Sequence, residues 1–374
     1  MQVEIETVEA LLAHLDAVGN LKKVVIQGLD LRGLDARLLD ISGSGAVLLG
    51  CALEPPVAEH LRASGAVLFP ALEDRPYQPY RPRLYTPEEL MEGYEEGRPA
   101  SFWESSRDAR IYDRYQSFRR APEPPPILEA LAQRLHDHAI DDAKHELLRG
   151  ERPVAVMGGH AMKRDAPAYL SVARIAQRLA QRGYFLVSGG GPGAMEACNL
   201  GAWLAREDDA ALVGAVEALS EAPGYRDAGW FDTALAIKRR HPDGTASLAI
   251  PTWFYGHEPT NLFATHAAKY FSNSLREDGL LAIATHGVLY APGSAGTIQE
   301  VFMDAAQNHY GTFDVISPMV FLGRDYWRTH RPVAPLLERL SSGRQYADWI
   351  GYCDTPDEAV AFIEAHPPAP YIGD

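Results

Sequence analysis

Short apolar runs bounded by glycine or proline recur along the chain and predict buried strands. In the first segment these runs are Val24–Ile26, Ala46–Leu49 and Ala66–Phe69, with partly helical patterns between them. Continuous apolar runs of this length are typical of parallel strands that are covered on both faces. The pattern therefore predicts a small α/β domain over residues 1–72.

The composition changes after this domain. From Glu73 to Pro126 proline, tyrosine and arginine crowd together, and neither strand nor helix periodicity is present. Such a segment is typical of a connector on a surface or of an arm that reaches another subunit. From Ile127 to Leu148 apolar residues at helical spacing predict a helix. We assign residues 73–150 to this connector and helix.

Residues 151–374 alternate regularly between strand and helix patterns, with an extra helix expected between Asp208 and Gly244. The predicted strands are Val154–Met157, Tyr184–Val187, Ser247–Ile250, Val288–Ala291, Met319–Leu322 and Ile350–Cys353. Alternation over this length predicts an α/β fold with a doubly wound, mostly parallel Rossmann-like sheet. Ligands of such sheets bind at the carboxyl ends of the strands.

Three glycine-containing loops follow predicted strands of this sheet. They are Gly158–His160, Ser188–Glu196 and Pro292–Glu300. Glycine lets backbone N–H groups approach a ligand, and the N-terminus of the following helix attracts anions. Three such loops at one sheet edge favour a ligand that carries a phosphate.

The common nucleotide and hydrolase motifs do not describe these loops. The first strand is followed by Gly-Gly-His-Ala-Met-Lys rather than G-x-G-x-x-G, which argues against an NAD dehydrogenase. No G-x-x-x-x-G-K-[ST] occurs, so a P-loop NTPase is excluded. Ser294 stands in Gly-Ser-Ala-Gly rather than G-x-S-x-G, so it is not a nucleophile elbow. The loops therefore bind their ligand by another scheme.

The charge of the chain limits the size of that ligand. Its 50 acidic and 35 basic residues give a formal net charge of −15. Such a surplus argues against binding to nucleic-acid polymers, but it leaves a small anion in a local pocket open. Three scattered cysteines, no signal-peptide pattern and no apolar run near the roughly 20 residues of a membrane span predict a reduced, cytoplasmic protein.

Two other chemistries have little support in the sequence. A polar cluster lies on the helix after the connector and contains His136, His138, Asp141, Asp142, His145 and Glu146. Two residues at i,i+4 without a clear third ligand favour a solvated polar face, so we predict no metal site. No lysine lies in a loop suited to a pyridoxal Schiff base, which leaves decarboxylation unsupported.

The motif residues resemble a known family. GGH, then GGGPGAMEA, then PGSAGTIQE, is similar to the LOG ("lonely guy") family, whose motifs run GGGxxGxM and PGGxGTxxE and whose members are often mislabelled lysine decarboxylases. The first two spellings look closer to the longer bacterial nucleotide 5′-monophosphate nucleosidases. The resemblance covers roughly Pro153 to His366. It implies hydrolysis of the N-glycosidic bond of a nucleoside 5′-monophosphate to free base and ribose 5-phosphate, without metal or cofactor. It also implies a homodimer or larger homo-oligomer.

The resemblance also implies two catalytic residues. The glutamate that closes PGGxGTxxE corresponds to Glu300. The family's arginine, on the helix before the PGG strand, corresponds best to Arg276, with His266 and Lys269 as lesser candidates. Glu300 has a second possible role, because Thr297-Ile-Gln-Glu300 also reads as a helix capping box. For Arg276 the alternative is a solvated position at a helix end.

The remaining site residues come from the three loops. The predicted substrate-binding residues are Gly159, His160, Gly189, Gly190, Gly191, Gly193, Met195, Glu196, Pro292, Gly293, Ser294, Gly296 and Thr297. Some of these have structural alternatives, since Met195 suits a core and Glu196 suits the first turn of a helix. Asn261 and Asp304 are weaker candidates.

One residue departs from the family pattern. Ser294 replaces the second glycine of PGG, and its Cβ alters how closely the backbone approaches a phosphate. The departure keeps a second function open, a nucleotide or molybdenum-cofactor sensor or carrier that binds without hydrolysis, as the related molybdenum-cofactor carriers do. The retained Glu300 favours the enzyme.

Overall fold

A computed structural model describes residues 3–373 of the chain. These residues form two compact units. One unit runs to Leu84 and includes Ser117–Ala143, and the other comprises Tyr85–Gln116 together with the chain from Lys144 onward. All three glycine loops belong to the second unit.

The smaller unit contains a parallel sheet with connecting helices. Its strands and helices are β1 (Val3–Ile5), α1 (Val8–Val18), β2 (Val24–Gln27), α2 (Asp35–Leu39), β3 (Val47–Leu49), α3 (Pro55–Ala63) and β4 (Val67–Phe69). The strands pair in sequence order, and all pairs are parallel. The apolar runs predict β2, β3 and β4, and the parallel arrangement is confirmed. β1 is missed because Glu4 stands between Val3 and Ile5, so this strand is not a continuous apolar run.

The larger unit is built on a second parallel sheet. The strands of this unit are β5 (Pro153–Met157), β6 (Phe185–Ser188), β7 (Ser247–Ala249), β8 (His266–Ala267), β9 (Val288–Tyr290), β10 (Val315–Ile316), β11 (Met319–Leu322), β12 (Ile350–Cys353) and β13 (Ala369–Pro370). Within the described residues the main sheet has seven strands, all parallel, and β10 pairs antiparallel with β13. The predicted α/β class with a mostly parallel sheet is confirmed.

The direction of chain winding reverses between β5 and β9. The strand order is β12-β11-β9-β5-β6-β7-β8, so the chain adds β6 to β8 on one side of β5 and then returns to place β9 on the other. In doubly wound sheets this reversal opens a crevice at the carboxyl ends of the strands, where ligands bind. Two glycine loops leave the sheet there, Gly158–His160 after β5 and Pro292–Glu300 after β9.

The helices that begin after α3 are α4 (Pro87–Leu90), α5 (Ala100–Ser105), α6 (Arg107–Arg119), α7 (Ile127–Leu147), α8 (Pro167–Gln181), α9 (Ala194–Trp203), α10 (Asp209–Leu219), α11 (Trp230–Arg240), α12 (Asn273–Ile283), α13 (Ala295–Tyr310), α14 (Ala334–Ser341) and α15 (Pro356–Ala365). The apolar sides of α8 and α9 pack with β5 and β6 in one buried cluster. Among residues 3–373 no helix combines the length and apolar character that crossing a bilayer requires.

The proline-, tyrosine- and arginine-rich segment differs from its prediction. It contains α4, α5 and α6, where the sequence pattern predicts no helix. The buried face of α6 carries Asp108, Ala109, Ile111 and Tyr115, so a charged residue interrupts the apolar stripe. Helix periodicity is read from apolar residues, and a buried aspartate removes one of its positions.

Helix α7 has nearly the predicted bounds but buries another face. Leu128 and Leu131, which belong to the predicted apolar stripe, are 54% and 46% exposed, whereas His136 is fully buried. The His136 ring packs edge-on against Tyr77, with centroids 5.4 Å apart. The prediction of a solvated polar face is therefore wrong for His136.

Candidate functional site

The predicted glycine loops meet around one cavity at the carboxyl edge of the large sheet. The cavity has a volume of about 330 Å³. Nine of the predicted residues line it, namely Gly159, His160, Gly189, Met195, Arg276, Ser294, Gly296, Thr297 and Glu300. These residues follow β5, β6 and β9 or lie on α12 and α13, so the fold brings together positions more than 100 residues apart.

The helix that carries Glu300 begins earlier than a capping box requires. α13 starts at Ala295, and Ser294 is its N-cap residue, without a side-chain cap hydrogen bond. Thr297 therefore lies inside the first turn, and the alternative role of Thr297 and Glu300 as a capping box does not hold. Glu300 lies in the second turn with its side chain on the cavity.

Arg276 is the cation nearest to Glu300 in this cavity. Its Nη1 lies 3.7 Å from Oε1 of Glu300, and the two side chains are 12% and 16% exposed. Its Nε donates a hydrogen bond to the Ile250 carbonyl at 3.1 Å. This bond fixes one side of the guanidinium and leaves the other directed toward the carboxylate and the cavity.

The position of Glu300 changes its acidity. Burial raises the pKa of its carboxyl from 4.5 to about 7, although the Arg276 guanidinium opposes the rise. The nearby Glu277 carboxylate adds to it. A carboxyl group with a pKa near neutrality can exchange a proton with water during a reaction at physiological pH.

Asp304 lies one turn after Glu300 on α13 and is fully buried. Burial raises the pKa of its carboxyl to about 7, partly offset by the hydrogen bond that the Tyr290 hydroxyl donates at 2.7 Å. Asn308 also donates to it, at 3.2 Å. Asp304 does not line the cavity, so its contacts serve the packing of α13 on β9.

The glycine loop after β6 needs glycine at two points. Gly190 and Gly193 have φ angles of +79° and +72°, which favour glycine. A Cβ on Gly193 would lie 2.4 Å from the Gly159 carbonyl oxygen, because the loops after β5 and β6 touch there. Gly190, Gly191 and Gly193 do not line the cavity, and Gly190 and Gly193 instead allow the backbone conformation of the loop.

The start of α13 is also tightly built. A Cβ on Gly293 would lie 2.2 Å from Oγ1 of Thr297, so the first glycine of the motif leaves room for the threonine. The Gly293 carbonyl accepts a hydrogen bond from the Tyr326 hydroxyl, and the Pro292 carbonyl accepts one from the Gly159 N–H at 3.1 Å. Pro292 and Gly293 support the turn, while Ser294, Gly296 and Thr297 face the cavity.

Glu196 has protein partners for both of its oxygens. Arg164 donates to them at 2.5 and 2.9 Å, and the Tyr169 hydroxyl donates at 2.9 Å, with the pair almost fully buried. Glu196 instead lines a neighbouring cavity of about 220 Å³, together with Gly193 and His160. The structure does not bring Glu196 to Glu300 and Arg276.

The lesser candidates are engaged elsewhere. Lys269 donates to the buried Asp108 at 2.8 Å, and His266 lies 2.9 Å from the Thr265 hydroxyl. Asn261 donates to Asn199 at 2.9 Å within the core. No group of three His, Cys, Asp or Glu side chains in residues 3–373 is arranged to hold a metal ion.

Besides Gly158, which begins the first glycine loop, the cavity contains four residues that sequence reasoning missed. Thr252, Tyr255 and Glu258 lie on the loop after β7, and Glu277 follows Arg276 on α12. Tyr255 donates to Glu277 at 2.8 Å, which ties the loop to the helix. The loop has no glycine run, but it follows a strand of the same sheet, and that position was the available signal.

Comparison with known proteins gives one family match. Residues 151–232 match the model of the SLOG cluster4 family. The matched segment is similar to that family. It contains the first two glycine loops and ends before Arg276 and Glu300. The match is consistent with the LOG-like superfamily, and membership of the narrower LOG family stays a prediction.

No curated protein matches the chain. Among solved structures, the molybdenum cofactor binding protein from Rippkaea orientalis is 15% identical, with a TM-score of 0.37, over 57% of this chain and 96% of its own. The molybdenum cofactor carrier protein from Chlamydomonas reinhardtii is 14% identical, with a TM-score of 0.36, over 57% of this chain and 97% of its own.

Proposed function

We propose that the chain hydrolyses the N-glycosidic bond of nucleoside 5′-monophosphates and releases the free base and ribose 5-phosphate. The observation that carries the proposal is the pairing of Glu300 with Arg276, 3.7 Å apart, in the cavity where the glycine loops meet. An acidic group and a cation beside a phosphate-binding helix N-terminus are the groups that this reaction needs.

The phosphate would occupy the start of α13. Ser294, Gly296 and Thr297 line the cavity there, and the helix N-terminus offers backbone N–H groups and a favourable dipole. These local donors can hold a small anion on a chain of net charge −15, since physiological salt screens the distant charges beyond about 8 Å.

The bond-breaking step would take place beside Glu300. As the bond from C1′ to the base nitrogen breaks, its electron pair leaves with the base and positive charge builds on the sugar. The ionised Glu300 carboxylate stabilises that charge and accepts a proton from the water that attacks C1′. The base takes up a proton from solvent. Arg276 holds the carboxylate or the substrate in place.

The test is incubation of the purified chain with AMP, GMP, CMP and UMP in the presence of a chelator. We expect release of free base and ribose 5-phosphate, measured by chromatography. The Glu300→Gln variant should lose base release by about a hundredfold or more and still bind ribose 5-phosphate. A matched control is Glu221→Gln, an exposed carboxylate away from the cavity. Base release by Glu300→Gln at the unsubstituted rate would contradict the proposal.

Ser294 favours a second candidate, binding without hydrolysis. Its side chain lines the cavity at the start of α13, where the motif glycine would leave room for a phosphate. A sensor or carrier of a nucleotide or a molybdenum cofactor would retain its ligand intact. Mass spectrometry of the purified chain separates the candidates, because a co-purified intact nucleotide or pterin without base release supports the carrier.

We also propose that the chain forms a homodimer or larger homo-oligomer, as the family resemblance implies. Light scattering coupled to size exclusion measures the mass in solution. A mass of one 41.1 kDa chain at micromolar concentration would contradict this proposal.

A further inference from the structure

Glu258 is an acidic residue of the cavity that the proposed reaction does not yet use. It lies on the loop after β7, is half-buried, and lines the same cavity as Arg276 and Glu300. Within residues 3–373 its carboxylate has no hydrogen-bond or ion-pair partner, in contrast to Glu196 and Glu277. Both oxygens of this carboxylate are therefore free to accept hydrogen bonds from donors that a ligand brings.

The carboxylate of Glu258 lies against the glycine loop after β6. A Cβ on Gly191 would lie 2.8 Å from Oε2 of Glu258, and a Cβ on Gly189 would lie 2.5 Å from Nη2 of Arg276. Because Cα atoms two residues apart are at most about 7 Å apart, the two side chains approach neighbouring points of one loop. Glu258 therefore lies on the same wall of the cavity as the guanidinium that faces Glu300.

A carboxylate at this point selects for donors in the ligand. An ionised carboxylate only accepts hydrogen bonds, and its negative charge repels a phosphate. Glu258 is therefore suited to a part of the ligand that carries hydrogen-bond donors and no negative charge. The two neighbouring hydroxyls of ribose can each donate a hydrogen bond to one oxygen of the same carboxylate. If phosphate occupies the start of α13 and C1′ lies by Glu300, the ribose lies between them, beside the glycine loop.

We propose that Glu258 accepts hydrogen bonds from the 2′- and 3′-hydroxyls of the substrate ribose and thereby selects ribonucleotides over 2′-deoxyribonucleotides. This specificity role rests on the proposed function, because it takes a nucleoside monophosphate as the ligand. It assigns to the loop after β7 a part in recognition that the glycine motifs do not contain.

The loop that carries Glu258 is held from beneath by one buried aspartate. Asp108 of α6 accepts from Nε1 of Trp253 at 2.7 Å, from Lys269 at 2.8 Å and from Thr260 at 3.4 Å. Nε2 of His257, the neighbour of Glu258, lies 3.5 Å from the same carboxylate. These contacts fix both ends of the loop, so Glu258 is positioned before a ligand arrives.

The experiment compares Glu258→Gln, the control Glu221→Gln and the unsubstituted chain on AMP and 2′-deoxy-AMP. The ratio of kcat/KM for AMP to that for 2′-deoxy-AMP reports the contribution of the 2′-hydroxyl. Comparing this ratio between Glu258→Gln and the unsubstituted chain completes a double-mutant cycle, in which the two changes are the side chain and the hydroxyl. We expect the unsubstituted chain to prefer AMP, and Glu258→Gln to lower that ratio by roughly tenfold to a hundredfold. Glu221→Gln should leave the ratio unchanged.

Other outcomes would overturn the inference. An equal loss on both substrates would assign Glu258 to general packing, and a change confined to the ratio between GMP and UMP would assign it to the base. If no nucleotide is hydrolysed, the proposed function fails, and calorimetric titration with AMP and 2′-deoxy-AMP still measures the same ratio as affinities. If the chain binds AMP and 2′-deoxy-AMP equally well, or binds neither, the role of Glu258 is contradicted whether or not the chain is an enzyme.

Discussion

Nη1 of Arg276 lies 3.7 Å from Oε1 of Glu300, although the residues belong to different helices on either side of β9 in the chain. α12 ends before β9 and α13 begins after it, so the strand fixes the spacing of the two helices. The carboxylate is largely buried, and Arg276 partly offsets the rise that burial causes in its pKa. The pKa of Glu300 is therefore set by two opposing effects, burial and the charge of Arg276, and a substitution that removes one of them shifts this pKa in a known direction.

Replacing Arg276 should move the pH dependence of the reaction. If Glu300 acts as an ionised carboxylate, kcat for base release rises with pH and levels off above its pKa of about 7. Arg276→Gln removes the charge that lowers this pKa, so the rise should move to higher pH and the plateau should fall by about tenfold or more. Arg276→Lys retains the charge without the planar guanidinium and should keep the pH midpoint closer to that of the unsubstituted chain. The measurement is kcat from pH 5 to 9, and an unmoved midpoint in Arg276→Gln would remove Arg276 from this role.

Replacing Glu300 should stabilise the fold at alkaline pH. The carboxyl has a pKa of about 7 in the folded chain and an ordinary value of 4.5, so between these values the folded state binds more protons than the unfolded state. Stability contributed by this group therefore falls as pH rises from about 4.5 through 7, and the full cost of burying the charge is present above that. Glu300→Gln does not titrate, and we expect it to be more stable than the unsubstituted chain by roughly 1–3 kcal/mol at pH 8.

The comparison with acidic pH supplies the control for that prediction. At pH 5 most of the Glu300 carboxyl is already neutral when folded, so the difference between the two chains should shrink. Urea unfolding at pH 5 and pH 8 measures both, with equal m values as a check. A difference of the same size at both pH values would show that the effect is not ionisation.

Much of the fold and part of the site follow from local sequence signals. The strands β5, β6, β9, β11 and β12 are apolar runs with glycine after several of them, and α/β alternation implies the sheet edge where these loops meet. Arg276 and Glu300 were placed by resemblance rather than by pattern. Their approach to 3.7 Å depends on the helix spacing set by β9, which sequence does not show.

The remaining features escape prediction for physical reasons. Asp108 is buried within α6, and a charged residue on a buried face erases the apolar periodicity that would reveal the helix. Glu258 lies on a loop without glycine motif or periodicity, and its position depends on contacts with a distant helix. The capping pattern at Thr297 was misleading because the same residues fit a helix that begins three positions later than the real one.

Substitutions in the buried cluster around Asp108 should strongly lower the free energy of unfolding. Its pKa is lowered to about 2, since the Lys269 ammonium and the nearby His257 outweigh the burial that opposes ionisation. Asp108→Asn leaves the Lys269 charge buried without a carboxylate, and we expect a loss of about 3–5 kcal/mol in the free energy of unfolding. Lys269→Met should cost a similar amount, because it leaves the buried Asp108 carboxylate without its nearest cation.

The double substitution distinguishes charge from packing in this cluster. Asp108→Asn combined with Lys269→Met removes both charges, so it should recover most of the loss of either single change. Thermal or urea unfolding of the four chains gives the coupling energy. Additive losses in the double variant would mean that the two residues stabilise the fold independently of each other.

Gly189 offers a way to displace Arg276 while keeping every charge. A Cβ there would lie 2.5 Å from Nη2 of Arg276 and 2.7 Å from Sδ of Met195, which are ends of flexible side chains rather than backbone. Gly189→Ala should therefore fold normally but shift the guanidinium, and we expect kcat/KM to fall by about tenfold or more. Gly214→Ala, where nothing lies within 4 Å of the added Cβ, is the control that should retain full activity.

Gly190→Ala should destabilise the fold, whereas Gly189→Ala should lower activity without destabilising it. The comparison tests whether Gly189 acts by leaving space for Arg276. Gly190 has a φ of +79°, and its Cβ would lie 3.0 Å from the backbone nitrogen of Pro251, which cannot move as a side chain does. We expect Gly190→Ala to lower the free energy of unfolding by about 1–3 kcal/mol, measured by urea titration, while Gly189→Ala leaves it within about 1 kcal/mol. If both variants lose stability and activity in proportion, the loop acts as one packed unit. The placement of Arg276 would then depend on the whole loop rather than on the space that Gly189 leaves for it.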